Sequence, residues 1–214
     1  MRILCISDTH NRIDKLEGIE EADLLVHAGD FSMQGTIKEY ERFNSELGKI
    51  KHRYTHGIVT IEGNHDWLGE KNPALARTII TNAVLLRNES CIINGLRVYG
   101  SPASPEFYSW AYNYERGSAI KAVWDNITQC DILITHSPPM GILDQTPHSG
   151  GVGCQDLLDK VLEVKPKLHV FGHIHHSYGQ QDFNGTHFVN AASCNERYEP
   201  IHPPILIDWA EEIG

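Results

Sequence analysis

The sequence predicts an α/β fold in which two mixed β-sheets stack face to face with helices on their outer surfaces (αββα). Three observations predict it. Short apolar runs of about four to eight residues, bounded by glycine or polar clusters, alternate with helical patterns. Two Asn-Gly pairs, Asn94–Gly95 and Asn184–Gly185, lie between apolar strands, where they mark tight hairpins. No composition break, low-complexity run or internal repeat divides the 214 residues, so one domain spanning 1–214 is expected.

Residues 2–7 (RILCIS), 23–29 (DLLVHAG) and 57–63 (GIVTIEG) are apolar runs of strand length, as suits a sheet buried on both faces. Between the second and third, Ile37, Tyr40, Phe43 and Leu47 recur at helical spacing, and Thr36 with Glu39 fits a capping box. Strand–helix–strand order implies a parallel core sheet with right-handed crossovers. AVLLRN and CIINGLRVYGS supply the next strands. Residues 101–117 (SPASPEFYSWAYNYERG) carry two prolines and five aromatics with no clear period. So long a loop reads as a lid or substrate wall, or as a segment packing its own rings; its aromatics argue against disorder. A helix near 118–127 leads into DILITH (131–136), and a Pro/Gly-rich loop follows from 137 to 153. Leu157, Leu158, Val161 and Leu162 then form one apolar helical face. KLHVFGH (167–173), the second hairpin ending in HFVNAAS, and PILIDW (204–209) complete the sheets.

Composition narrows the function. A net charge of -10 with no run of Lys/Arg disfavours a nucleic-acid polymer as partner. No window approaches the roughly 18 apolar residues of a membrane span, and the N-terminal apolar run is too short for a signal-peptide core. The five cysteines (Cys5, Cys91, Cys130, Cys154, Cys194) are odd in number, widely spaced and without a C-x-x-C pair, so neither a disulfide framework nor a thiolate zinc site is suggested. The expectation is a reduced, cytoplasmic protein without a membrane segment.

The chemistry gathers where the strands end. Asp8 and His10 follow the first strand, Asp30 the second, and Asn64, His65 and Asp66 the third; His136 follows DILIT, and His173, His175 and His176 follow HVFG. A single histidine at a strand end is ordinarily a surface or hydrogen-bonded residue. Five strand ends each delivering metal-type ligands fit one crevice beyond the carboxyl edge of a parallel sheet. Carboxylate, imidazole and amide oxygen without thiolate suit two divalent or trivalent ions such as Mn, Fe, Co or Zn. Two metals about 3.5–4 Å apart need a bridging carboxylate, and Asp30 is the natural bridge. Gly29, Gly63 and Gly172 beside these residues are expected to let the backbone turn tightly and to let metal and phosphate approach. His27 and His169, inside apolar strands, read as packed histidines, and His176 reads as solvent-facing or supporting. Asp66 reads as a carboxylate that orients a neighbouring imidazole.

D-x-H, GD, GNHD, a lone His and GHIH, in this order, resemble the signature of the calcineurin-like metallophosphoesterases, and the resemblance spans nearly the whole chain. FYSWAYNYERG, THSPPMGILD, GVGCQDLLDKV, HVFGHIHHSYG and HPPILIDW are similar to segments of the MPPED subgroup. The resemblance implies that Asp8, His10, Asp30 and His175 hold one metal, and that Asp30, Asn64, His136 and His173 hold the other. It places His65 near the scissile phosphate, off the metals, as the catalytic residue, with Asn64 and His65 contacting substrate. Some MPPED members have glycine at the His173 position; this chain keeps the histidine, which implies a complete dinuclear centre.

The function expected is metal-assisted hydrolysis of a phosphate ester, most of all a small phosphodiester such as a cyclic nucleotide. His65 would protonate the leaving alkoxide or stabilise charge in the transition state. A phosphomonoesterase or protein phosphatase, or a nuclease, would use the same centre. Short connections between motifs leave the protein phosphatase little docking surface, and negative charge weakens the nuclease. A non-catalytic scaffold of this fold would show missing ligands, and none is missing. Oligomeric state and metal identity are not legible in the sequence.

Overall fold

A computed structural model describes residues 1–209. In chain order the strands are β1 (Arg2–Ile6), β2 (Leu24–His27), β3 (Ile58–Thr60), β4 (Val84–Leu85), β5 (Glu89–Ile93), β6 (Leu96–Ser101), β7 (Ser104–Pro105), β8 (Asn113–Tyr114), β9 (Ile132–Thr135), β10 (Gln145–Thr146), β11 (Gly150–Gly151), β12 (Leu168–Phe171), β13 (Gly179–Phe183), β14 (Thr186–Asn190) and β15 (Ile205–Asp208). The helices are α1 (Ile37–Ile50), α2 (Trp67–Lys71), α3 (Pro73–Ile79), α4 (Ser118–Trp124) and α5 (Gln155–Val164).

One sheet has the order β15-β1-β2-β3-β4, with β1 to β4 parallel and β15 closing it antiparallel to β1. The other has the order β13-β14-β12-β9-β6-β5, parallel through β14, β12, β9 and β6 and edged by the two antiparallel hairpin strands. Both sheets are mixed, as expected. Both Asn-Gly turns have positive φ at their two central residues, 48° and 83° at Asn94–Gly95 and 50° and 82° at Asn184–Gly185, which gives the hairpin twist that flanking strands require.

Alternation along each strand builds three apolar layers. Ile3 and Cys5 of β1 face the second sheet, meeting a core with Val98, Ile132, Ile134, Leu168 and Val170. Leu4 and Ile6 of the same strand face outward onto Tyr40, Phe43 and Leu47 of α1 and Ala76 of α3. On the far side, Leu133 and Phe171 pack on Ile120 and Trp124 of α4 and Leu157 and Val161 of α5. Helix–sheet–sheet–helix layering follows from strands that are apolar on both faces.

The Thr36–Glu39 capping box is present, with Glu39 N–H donating to Thr36 Oγ1 at 3.3 Å and Thr36 N–H to Glu39 Oε2 at 2.8 Å. Ile37, expected on the buried face, is 47% exposed at the first residue of α1, and Tyr40, Phe43 and Leu47 carry the buried face. On α5 the face is rotated: Leu157, Val161 and Val164 are buried, whereas Leu158 and Leu162 are partly exposed. The 101–117 loop is ordered by the β7–β8 pair, and the 137–153 loop carries the β10–β11 hairpin. No helix among the described residues is long and apolar enough to cross a membrane.

Candidate metal centre

The regular strands stop earlier than the apolar runs do. β2 ends at His27 and β12 at Phe171, although the apolar sequence continues to Gly29 and Gly172. The chain leaves the ladder there because the residues that follow take left-handed backbone: φ is 50° at Asp8, 40° at His10, 53° at Asp30 and 67° at His173. Such angles are unfavourable for residues with a Cβ and persist only where surrounding structure enforces them. Enforcement comes from the turns clasping one another. Asp8 N–H donates to Gly29 O at 2.9 Å, His10 N–H to Asp30 O at 3.1 Å, and Asn11 N–H to Phe31 O at 2.8 Å. His173 N–H reaches across to the Asp8 carboxylate at 3.0 Å, and His65 N–H to Asp30 Oδ1 at 2.8 Å.

Gly29 makes the tight turn expected of it, at φ 97°, and two further glycines are required for a reason other than the one expected. A Cβ at Gly172 would collide with the Asp8 carboxylate, and one at Gly63 with Asp30 Oδ1 and the His136 ring. These glycines make room for the acidic side chains themselves, more directly than for an approaching phosphate.

Three donor clusters result: Asp8, His10 and His175; His10, Asp30 and His65; and Asp30, His136 and His173, each with its ligand atoms within 4.8 Å of one another. Asp30 belongs to two of them. Asn64 joins the third, its Oδ1 lying 2.9 Å from His136 Nε2. His65 shares a cluster with His10 and Asp30, although its Nε2 stands 4.0 Å from Asp30 Oδ2.

The imidazoles are oriented from behind. Nδ1–H of His10 donates to Ser32 O (3.1 Å), that of His136 to Ala28 O (3.0 Å), that of His175 to Asn195 O (3.0 Å) and that of His65 to Met33 O (2.7 Å). Each bond leaves Nε2 free to act as a ligand or to carry a further proton, the arrangement usual around metals. His10 Nε2 is buried and has no hydrogen-bond partner among the described residues. At His136, two acceptor oxygens converge on Nε2, from Asn64 at 2.9 Å and Asp30 at 3.3 Å. A cation is needed at that point, either a proton on the ring or a metal ion. The donor set fits metal.

Charge in the cluster follows the same logic. Burial depresses His10 to about 4 and His173 to about 3, so both rings are neutral and their lone pairs available. Burial would depress His136 too, but the Asp30 carboxylate outweighs it and lifts this ring to about 9. Burial would raise the carboxyls of Asp8 and Asp30; His175 at Asp8 and His136 at Asp30 outweigh it, holding both below the usual carboxylate range.

Asp66 does not orient an imidazole directly. Its Oδ1 accepts from Ser32 N–H at 3.0 Å and Ser32 Oγ at 2.6 Å, and its Oδ2 accepts from Gly63 N–H at 2.8 Å. It ties together the turns after β2 and β3, and so acts on His10 only through the Ser32 carbonyl. His27 and His169 are packed as expected, each bonded through Nε2 to a threonine hydroxyl, Thr9 at 2.9 Å and Thr135 at 2.8 Å. His176 turns outward and pairs with Glu196 at 2.9 Å.

A cleft of about 540 Å³ opens over the donors, and Asp30, Asn64, His65, His173 and His175 lie in its lining. The aromatic loop divides its roles. Trp110 lines the cleft with its ring 4.4 Å from His65, and Phe107 lines it farther out. Tyr108 is exposed, Tyr114 packs toward α4 and α5, and Tyr112 is buried on Glu62. Sequence reasoning missed Tyr198, whose ring lies 4.7 Å from His10 and 5.9 Å from His65. It sits in CNERYEP, where no period or motif marks it. Also missed was the buried Glu62–Arg87 ion pair beneath the site, 2.7 Å from Nη2 to Oε1.

Stacked sheets between helices, with carboxylate, imidazole and amide donors at their common carboxyl edge, define a metal-dependent phosphoesterase class. Residues 1–177 match the model of the calcineurin-like phosphoesterases, and the chain belongs to that family. It is 38% identical over 233 residues to human metallophosphoesterase domain-containing protein 1, covering 97% of this chain and 70% of that one. In structure it is similar to a Thermus thermophilus protein at a TM-score of 0.60 and 16% identity, covering 88% of each chain. It also resembles a protein described as a novel archaeal phosphodiesterase, at a TM-score of 0.53 and 14% identity over 99% of this chain and 96% of that one. At such identities the structural likeness concerns the fold.

Proposed function

We propose that the protein hydrolyses small phosphodiesters, with cyclic nucleotides the first class to test, at a dinuclear centre. Asp8, His10, Asp30 and His175 would hold one cation; Asp30, Asn64, His136 and His173 would hold the other; Asp30 would be shared. The ions would be Mn, Fe, Co or Zn, in keeping with oxygen and imidazole donors. Two such ions supply Lewis acidity toward a phosphoryl oxygen and toward water.

The chain's own residues do the rest. His65, fixed through Nδ1 by the Met33 carbonyl, turns Nε2 toward the cleft, where a protonated ring can pass its proton to the departing alkoxide. Trp110 covers that ring on one side and limits water around it. Asn64 and His65 both line the cleft and are the substrate contacts in this reading.

The observation that carries the choice of substrate is the cleft. Its volume of about 540 Å³ is in the range of small-molecule sites. Among its lining residues Arg116 is the only Lys or Arg, and its guanidinium is engaged with Gly153 O and Val152 O at 2.8 and 2.7 Å. Little positive charge is left for a second phosphate. The archaeal structural neighbour described as a phosphodiesterase, and the resemblance to the MPPED subgroup, agree with this reading. A single domain over residues 1–214 and a reduced, cytoplasmic setting remain part of the proposal, the latter in keeping with five free cysteines.

Rate against salt tests it, with a cyclic nucleotide and an oligonucleotide assayed in parallel on metal-loaded and EDTA-treated protein. Expected are metal-dependent turnover of the cyclic nucleotide and a shallow salt dependence, because one phosphate is engaged. Efficient, steeply salt-sensitive oligonucleotide cleavage without cyclic-nucleotide turnover would replace this reading with a nuclease.

A further inference from the structure

Beneath the cleft lies a polar cluster that the proposed chemistry does not use. Glu62 is fully buried, immediately before Gly63, Asn64 and His65. Its carboxylate accepts from Arg87 Nε at 2.9 Å and Nη2 at 2.7 Å, from Tyr40 OH at 3.1 Å and from Tyr112 OH at 3.0 Å. The cluster is tightly packed: a Cβ at Gly69 would run into both the Glu62 carboxylate and the Tyr112 hydroxyl. A buried ion pair is a poor source of net stability, since desolvation offsets most of its attraction. What this one does supply is a fixed point.

Tyr112 is the part of the cluster that belongs to the aromatic loop. Besides its hydroxyl bond, its backbone N–H donates to Glu70 Oε1 at 2.7 Å, and the neighbouring Ala111 N–H donates to Asn64 O at 3.2 Å. Three bonds therefore tie residues 111–112 to the segment that carries Asn64 and His65. Trp110 is next in the chain, its ring 4.4 Å from His65 at 32°. Beyond it the loop is loose-sided, with Phe107 55% and Tyr108 77% exposed.

We propose that Tyr112 is a positioning residue: anchored on the Glu62–Arg87 pair, it holds Trp110 against His65, and Trp110 in turn contacts the ring-bearing part of the substrate. The substrate part of this assignment rests on the phosphodiesterase reading above. The hydroxyl is dispensable for folding in principle, because Glu62 retains Arg87 and Tyr40 as donors when it is removed.

The test uses the metal-loaded, full-length protein with bis(p-nitrophenyl) phosphate, and the variants Tyr112→Phe, Trp110→Ala, their combination, and Tyr40→Phe as control. Trp110→Ala is expected to raise KM roughly five- to ten-fold, as loss of one ring stack does. Tyr112→Phe is expected to raise it about three-fold or more, with metal content unchanged. The double variant should be no worse than Trp110→Ala alone, since Tyr112 acts through Trp110. Acrylamide quenching supplies a readout independent of turnover. Tyr112→Phe should make tryptophan emission more quenchable, and this gain should vanish in a Trp110→Phe background. Effects that multiply in the double variant, unchanged quenching in Tyr112→Phe, or an equal KM rise in Tyr40→Phe would overturn the assignment. If the wild-type protein turns over no phosphodiester, the phosphodiesterase reading fails, and the quenching comparison alone decides whether Tyr112 positions Trp110.

Discussion

Asp30 has a carboxylate oxygen in two donor clusters and also accepts the His65 backbone N–H. Removing it should therefore damage both halves of the centre. Metal analysis of Asp30→Ala is expected to find both ions lost or weakened, and that of His173→Ala mainly one, because His173 belongs to a single cluster. Two fully occupied sites in Asp30→Ala would contradict its role as the bridge. His65 differs in that its backbone, more than its ring, touches Asp30. His65→Ala is expected to keep metal content and fold while losing about 10²–10⁴-fold in turnover, the usual range for a removed general acid. The loss should shrink for leaving groups of low pKa, which need less protonation. An equal loss across leaving groups would assign the ring to charge stabilisation instead, and metal loss in this variant would make it a ligand.

At the scale of elements, the site is built by strands ending together, and a strand's last residues matter more than its middle. Gly172 lies between the end of β12 and His173, and has room for no Cβ beside Asp8. Gly172→Ala is expected to weaken metal binding about ten-fold or more and also to lower the melting temperature of the metal-free protein, since the added Cβ would displace the buried Asp8 carboxylate, a proposed ligand, and press on Ser7. Metal titration followed by thermal melting checks both parts, and unchanged affinity would count against Asp8 as a ligand. This is also where the sequence is most legible. DTH, GD, GNHD, TH and GHIHH each follow an apolar run, so strand order alone brings them to one edge. Their left-handed turns are not legible, and the apolar runs overstate the strands by one to three residues at their ends. Nor is the Tyr112 anchor, which joins residues 50 apart through Glu62, or Tyr198, which meets His10 from a loop after β14. Contacts between distant segments leave no period in either one.

Across the whole molecule, buried histidines couple folding to pH. His27 and His169 lie on different sheets, are fully buried, and are pushed by burial to about 3. In the unfolded chain each would take a proton near its ordinary value of about 6.5. A histidine whose folded pKa is depressed favours the folded state above the unfolded value, and that contribution is lost as pH falls through the unfolded pKa toward the folded one. Between roughly pH 6.5 and 3 each such ring leaves the unfolded state holding more protons, so each contributes a rise in stability with pH of up to about 1.4 kcal/mol per pH unit, and in the metal-free protein His10 and His173, at about 4 and 3, add to it. His136 acts in the opposite sense: lifted to about 9, it favours the metal-free fold below 6.5 and loses that contribution as pH rises through 9. Metal-free protein should therefore be most stable near neutrality and melt at lower temperature on both sides. A metal held at His136 Nε2 would compete with the proton there, so loading the centre should remove the alkaline decline while leaving an acid one to which His27 and His169 contribute. Thermal melts from pH 4 to 10, with and without EDTA, measure both limbs. An acid limb absent from the metal-free protein would mean that these two histidines are hydrated or charged in the folded state.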